Sequence, residues 1–205
     1  MIHDAKNFDH LLGQLPGLSD SQLEQHFDLY LGYVKKINEI EDKLMGARRA
    51  DANYSFGDVS ELHRRRSVAY NGALLHELFF ENLSAQIHRP SPELQKAIDS
   101  SFGSIDDWSA DMRAALVSAP GWVLLCRSRR DGSLRNALIE EHHRGLLAEQ
   151  DILLAIDGWE HAYMIDFGIN KLHYIKTIEP LLDWEAASRR FIVFRSRGIQ
   201  EPAAA

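Results

Sequence analysis

Apolar residues recur along this chain at two different periods, and the change from one to the other divides it. Leu23, Phe27, Tyr30, Tyr33, Val34, Ile37 and Ile40, with His26 among them, follow at three- and four-residue steps. That is the spacing of one helix face, and Ser19 or Asp20 is placed to cap its start, so a helix is predicted over 19–44. Residues 46–62 lose the period and carry Gly, Asp, Asn and Ser, the composition of a loop. The period returns over 62–84 through Tyr70, Leu74, Leu75, Leu78 and Phe79, which predicts a second helix antiparallel to the first. His88-Arg89-Pro90-Ser91-Pro92 then interrupts the pattern, because proline and the residue before it resist helix.

Two short helical patterns follow, at 92–102 and 104–118. The apolar runs 121–126 and 134–139 flank Arg129-Arg130-Asp131-Gly132-Ser133, and an Asp-Gly turn between apolar runs signals a β-hairpin. Residues 152–156 supply a third strand, and helices are predicted at about 159–166, 170–178 and 182–194. Residues 201–205 read as a frayed tail. The fold class is therefore α+β. An N-terminal antiparallel α-hairpin (residues 1–90) precedes a C-terminal α/β domain (91–205) with a small three-stranded antiparallel sheet.

Composition narrows the function classes. The chain has 205 residues, 45% hydrophobic and 26% charged, which is ordinary for a globular protein. No apolar run reaches the ~18 residues of a membrane span, and no basic region leads into a long apolar one at the start. A single cysteine, Cys126, leaves no internal disulfide and no cysteine-rich zinc site. A cytoplasmic protein with no membrane partner is expected. The net charge of −7 argues against nucleic acid as a partner, since phosphate binding needs a concentrated basic surface.

Candidate chemistry concentrates in Asp157-Gly158-Trp159-Glu160-His161-Ala162-Tyr163. A carboxylate and an imidazole four residues apart share one face of a helical turn, where one metal ion can accept both. Asp157 taken alone reads first as the N-cap of the helix that follows. His26 lies on the inward stripe of the first helix, and His76 lies among Leu74, Leu75, Leu78 and Phe79 of the second. Each reads either as a core histidine with a polar partner or as a metal ligand.

Four blocks, in order over roughly 15–195, closely resemble the iron/manganese superoxide dismutases. They are Leu23-Glu24-Gln25-His26-Phe27, the stretch from Asn71 through His76 to Leu83, Ser101-Phe102-Gly103-Ser104 with Gly121-Trp122, and Asp157-x-Trp159-Glu160-His161-Ala162-Tyr163 with Tyr174 and Asp183-Trp184 downstream. The resemblance implies His26, His76, Asp157 and His161 as ligands of one iron or manganese ion per subunit, lying between the two halves. It implies superoxide as substrate and a one-electron cycle that yields dioxygen and hydrogen peroxide. Tyr33 is implied as the gateway tyrosine, with Tyr30 second. His142 is implied as the group facing metal-bound solvent, although His142 and His143 also read as exposed loop residues. Trp122, Trp159 and Tyr163 are implied around the ligands. Glu160 is implied at the interface of a homodimer, with a tetramer as the larger form.

The gateway tyrosine of the family stands eight residues after the first ligand; here that position is Val34, and Tyr33 lies seven residues on. Seven residues turn a helix through about 700°, close to two full turns, so Tyr33 still lies nearly above His26. Phe80, Leu124 and Met164 replace aromatic residues usual in the family, and Gly72 excludes the Gln of some iron forms. A thinner aromatic cage is expected. It motivates an alternative, a metal-binding structural or interaction protein of this fold with weak or no dismutase activity. Arg64-Arg65-Arg66 reads as a solvated helix start or as a steering patch for an anion.

Overall fold

The computed structural model describes residues 3–196; the tail assigned to 201–205 lies outside them. Helices α1 (Asp20–Gly46) and α2 (Asp58–Glu81) form the N-terminal hairpin. They run antiparallel: Tyr30 bonds Glu77, Tyr33 lies over Gly72, and Glu41 pairs with Arg66. Ser19 Oγ accepts the Gln22 N–H at 3.1 Å and caps α1. The second helix begins at Asp58 rather than at 62. Asp58 and Glu61 occupy its first turn, where free N–H groups favour carboxylates, and this mostly polar turn carries no apolar period to announce it.

The segment between α2 and α3 (Pro92–Phe102) forms no helix, and residue 90 falls within it. Helix α3 and helix α4 (Ile105–Ser118) pack against strands β1 (Trp122–Ser128) and β2 (Leu134–Ile139). Strand β3 (Gln150–Asp157) completes an antiparallel sheet in the order β2-β1-β3. The β1–β2 turn closes through Ser128 N to Ser133 O at 2.9 Å, with Gly132 at φ +74, a conformation open to glycine. Every residue of β1 is buried, as a central strand covered on both faces requires. Its first residue, Trp122, sits opposite Ile139 on one side and Asp157 on the other.

The helix expected over 159–166 is not continuous. A 3-10 turn, Glu160–Ala162, is followed by a short helix α5 (Met164–Phe167), with Tyr163 at φ −148 between them. Helices α6 (Lys171–Ile178) and α7 (Trp184–Ser196) complete the chain, α7 lying against β3. No helix among the described residues is long and apolar enough to cross a membrane.

One core runs through both halves, from Leu23, Phe27, Leu75 and Phe79 on the hairpin to Trp122, Leu125, Leu154 and Tyr174 on the sheet side. A smaller separate cluster of Ile37, Ile40, Leu44 and Ala69, with Leu62, fills the far end of the hairpin. At the near end Glu81 joins the halves by ion pairs to Lys6 at 2.6 Å and Arg190 at 2.7 Å.

Candidate metal centre

Four side chains predicted as ligands converge where α1, α2 and the C-terminal end of β3 meet. The donor atoms of His26, His76, Asp157 and His161 all lie within 4.8 Å of one another. His26 Nε2 and His161 Nε2 each stand 3.1 Å from Asp157 Oδ2. His76 Nε2 is 3.7 Å from the same oxygen and 3.4 Å from His161 Nε2. Such separations suit atoms placed about 2.1 Å from a common centre. His26, His76 and Asp157 are buried, while the His161 side chain keeps 29% exposure.

The arrangement fixes protons as well as positions. His76 Nδ1 donates to the Gly72 carbonyl at 2.6 Å, so the neutral ring turns the lone pair of Nε2 toward the site. Burial holds the His76 and His26 imidazoles below their ordinary range, against protonation. Burial alone would raise the Asp157 carboxyl, but the His161 charge and hydrogen bonds from His161 and His26 hold it well below the usual range, ionised. The lone pair of His76 Nε2 thus faces the anionic Asp157 Oδ2 across 3.7 Å in a buried pocket. A cation satisfies both, and three imidazoles with one carboxylate are a donor set that suits iron or manganese.

Asp157 also has the capping role the sequence left open, though at a turn rather than a helix. Its Oδ1 accepts the Trp159 N–H at 2.9 Å, leaving Oδ2 for the site, and its carbonyl accepts from Tyr174 Oη at 2.7 Å. The pairing of Asp157 with His161 arises from a strand end and a 3-10 turn, not from one helical turn. Asp157 closes β3, and the Oδ1 bond folds the chain back over two residues.

The surrounding residues fall into two groups. Tyr33 stacks on His76 with ring centroids 5.3 Å apart, and its hydroxyl lies 2.7 Å from His142 Nε2. His142 Nδ1 accepts from Trp122 Nε1 at 3.0 Å. An indole N–H only donates, so neutral His142 carries its proton on Nε2 and donates it to Tyr33 Oη. Burial pushes the His142 pKa down to about 4. His142 is thus part of the site rather than an exposed loop residue; His143 beside it pairs with Glu141 at 3.6 Å. Trp159 stacks on His161 and lies beside His142. The aromatic shell expected to be thin still presents Phe79, Phe80, Trp122, Tyr33 and Trp159 to the ligands.

Tyr30, Tyr163 and Glu160 stand apart. Tyr30 packs on Phe80, but its hydroxyl turns away to Glu77 and to the Lys6 N–H, anchoring the N-terminal segment. Tyr163 stacks on Tyr174 behind Asp157. Glu160 is exposed beside His161. Arg64 and Arg66 pair with Glu61 and Glu41 on the helix surface.

Two amides went unnoticed in the sequence. Gln22 Nε2 donates to the His161 carbonyl at 2.6 Å, and Asn71 Nδ2 donates to the His142 carbonyl at 2.8 Å. Gln22 lies four residues before His26 on the same stripe, a polar residue on an inward face, which was the available signal.

Comparison with known proteins gives the chain's family likeness. The model of the iron/manganese superoxide dismutases, C-terminal domain, matches residues 90–190. An iron superoxide dismutase of Aquifex aeolicus is 33% identical over 196 residues, covering 93% of this chain and 92% of that protein. A manganese superoxide dismutase of Halobacterium salinarum is 33% identical over 181 residues, covering 86% and 88%. An iron superoxide dismutase of Cupriavidus metallidurans is 32% identical over 195 residues, covering 93% and 97%.

Proposed function

Since the chain belongs to the iron/manganese superoxide dismutases, we propose that it disproportionates superoxide at one iron or manganese ion per subunit, held by His26, His76, Asp157 and His161. The convergence of these four donors carries the reading. A bound ion of either metal supplies one-electron redox chemistry, by which two superoxide anions and two protons give dioxygen and hydrogen peroxide.

The protein's own part is to fix donors, exclude water and hold protons. Phe79, Phe80 and Trp122 wall the ligands in apolar surface, which strengthens charge interactions inside. Tyr33 Oη accepts from His142 Nε2, so its own proton is not used in that bond. Burial raises the Tyr33 pKa, which keeps it a protonated phenol at neutral pH, able to offer that proton to a peroxide anion. Glu160 and the exposed edge of His161 lie on one open face, and a second copy of the chain over that face would enclose the ligand; this supports a homodimer.

The test is to purify the protein with iron and with manganese supplied separately, then measure metal per subunit and superoxide removal. Metal-dependent removal is expected, and His161→Ala should abolish stoichiometric metal binding. Full occupancy with no removal would refute dismutation and leave the metal-holding structural protein as the reading.

A further inference from the structure

In a continuous helix through residues 160–167 the His161 carbonyl would accept the Ile165 N–H, the i to i+4 bond of the α-helix. Here those two groups do not meet. Gln22 stands between them: its Nε2 donates to His161 O at 2.6 Å, and its Oε1 accepts from Ile165 N at 3.1 Å. One side-chain amide from the other half of the molecule replaces one peptide pair. The helix gives way to the turn Glu160–Ala162 and the short α5, with Tyr163 out of helical conformation between them.

The start of α1 explains why this amide is available. Ser19-x-x-Gln22 spells a capping box, in which the Gln side chain would return to the Ser19 N–H. Only half of the box forms. Ser19 Oγ accepts Gln22 N, but the Ser19 N–H bonds Asp166 Oδ2 at 2.8 Å. Asp166 therefore releases Gln22 to reach across. Gln22 is 1% exposed, so bulk water does not compete for its bonds.

We propose that Gln22 is a positioning residue that fixes the ligand His161 relative to His26 by holding the helix broken between His161 and Ile165. The inference rests on the metal-site reading above. Gln22 and His26 lie one turn apart on a single rigid helix, and His26 and His161 both stand 3.1 Å from Asp157 Oδ2. Without the amide, His161 O and Ile165 N both lose the partner that holds them apart, and the i to i+4 bond is the one a continuous helix would form between them. Closing that bond winds the turn and carries the His161 ring off the carboxylate.

The experiment compares wild type with Gln22→Ala and Gln22→Glu, each loaded with manganese alone. Gln22→Glu keeps the size and the acceptor for Ile165 N but sets a carboxylate oxygen against the His161 carbonyl, and it serves if the alanine variant fails to fold. The readouts are the rate of manganese release to a chelator, the visible absorption of the oxidised ion, and melting of the protein with and without metal. Partners that orient metal ligands are commonly worth about 10–100-fold in metal affinity, so release should quicken by about that factor and the visible band should shift. Release within about twofold of wild type, with the band unmoved, overturns the role of Gln22 alone. Faster release with an unmoved band, matched by equal melting losses with and without metal, makes Gln22 merely structural and also overturns it. A wild-type chain that takes up no manganese overturns the metal-site reading, and this inference with it.

Discussion

Gly72→Ala tests how tightly the site is packed, because its sign is opposite to the usual one. Replacing a mid-helix glycine by alanine normally stabilises by about 1 kcal/mol. At position 72 the added Cβ would lie 2.6 Å from Tyr33 Cδ1 and 2.8 Å from Cε1 and Cγ. Non-bonded carbons rest at about 3.5–4.0 Å, so the ring must retreat by about 1 Å. It has little freedom to do so, since it stacks on His76 and its hydroxyl sits 2.7 Å from His142 Nε2. A retreat of that size breaks the hydrogen bond, at about 0.5–1.5 kcal/mol, and overpacking adds about 1–3 kcal/mol. The net expectation is a loss of about 0.5–3.5 kcal/mol in urea unfolding of the metal-free protein, with slower superoxide removal. In a Tyr33→Ala background the same Gly72→Ala change should stabilise by up to about 1 kcal/mol, so the effect reverses sign. A stabilising Gly72→Ala in the otherwise native chain would refute the reasoning.

Two further expectations concern groups away from the ligands. Lys6 and Arg190 hold the half-buried Glu81 below its ordinary value of 4.5, against the opposing effect of burial. Its stabilisation is therefore full above about pH 4.5 and is lost as pH falls through the lower folded-state value. Glu81→Gln should cost about 1 kcal/mol near neutrality, with the gap to wild type closing on acidification; a gap constant from about pH 6 to about pH 3 would rule this out. Cys126 is 2% exposed, and burial pushes its thiol up to about 12. A thiol reagent at about pH 8 should label it only on unfolding, and rapid labelling of the native protein would contradict the buried placement.

Much of this architecture was legible in the chain, and what was missed shares a cause. The stripe from Leu23 to Ile40 placed His26 inward, and a near-two-turn step kept Tyr33 beside His76 despite its shifted position. The Asp131-Gly132 turn fixed the β1–β2 hairpin, which with β3 sets Trp122 opposite Asp157. Periodicity reports which face a residue takes, so it recovered these. It does not report which partner a backbone group chooses. The helix expected over 159–166 was misread because the His161 carbonyl is claimed by a side chain 139 positions away. Tyr30 shares the ligand stripe, yet its hydroxyl answers to Lys6 and Glu77. Such choices are settled by tertiary geometry alone.

The small cluster of Ile37, Ile40, Leu44 and Ala69, cut off from the main core, gives the hairpin two tiers of stability. Its far end should open locally and exchange amide protons with solvent sooner than the helical turns that carry His26 and His76 in the main core, which amide hydrogen exchange would check. The loop at 47–57 should therefore accept insertions, or a protease nick, with the metal-binding atoms still in place. The hairpin tip thus has room to vary without disturbing the site.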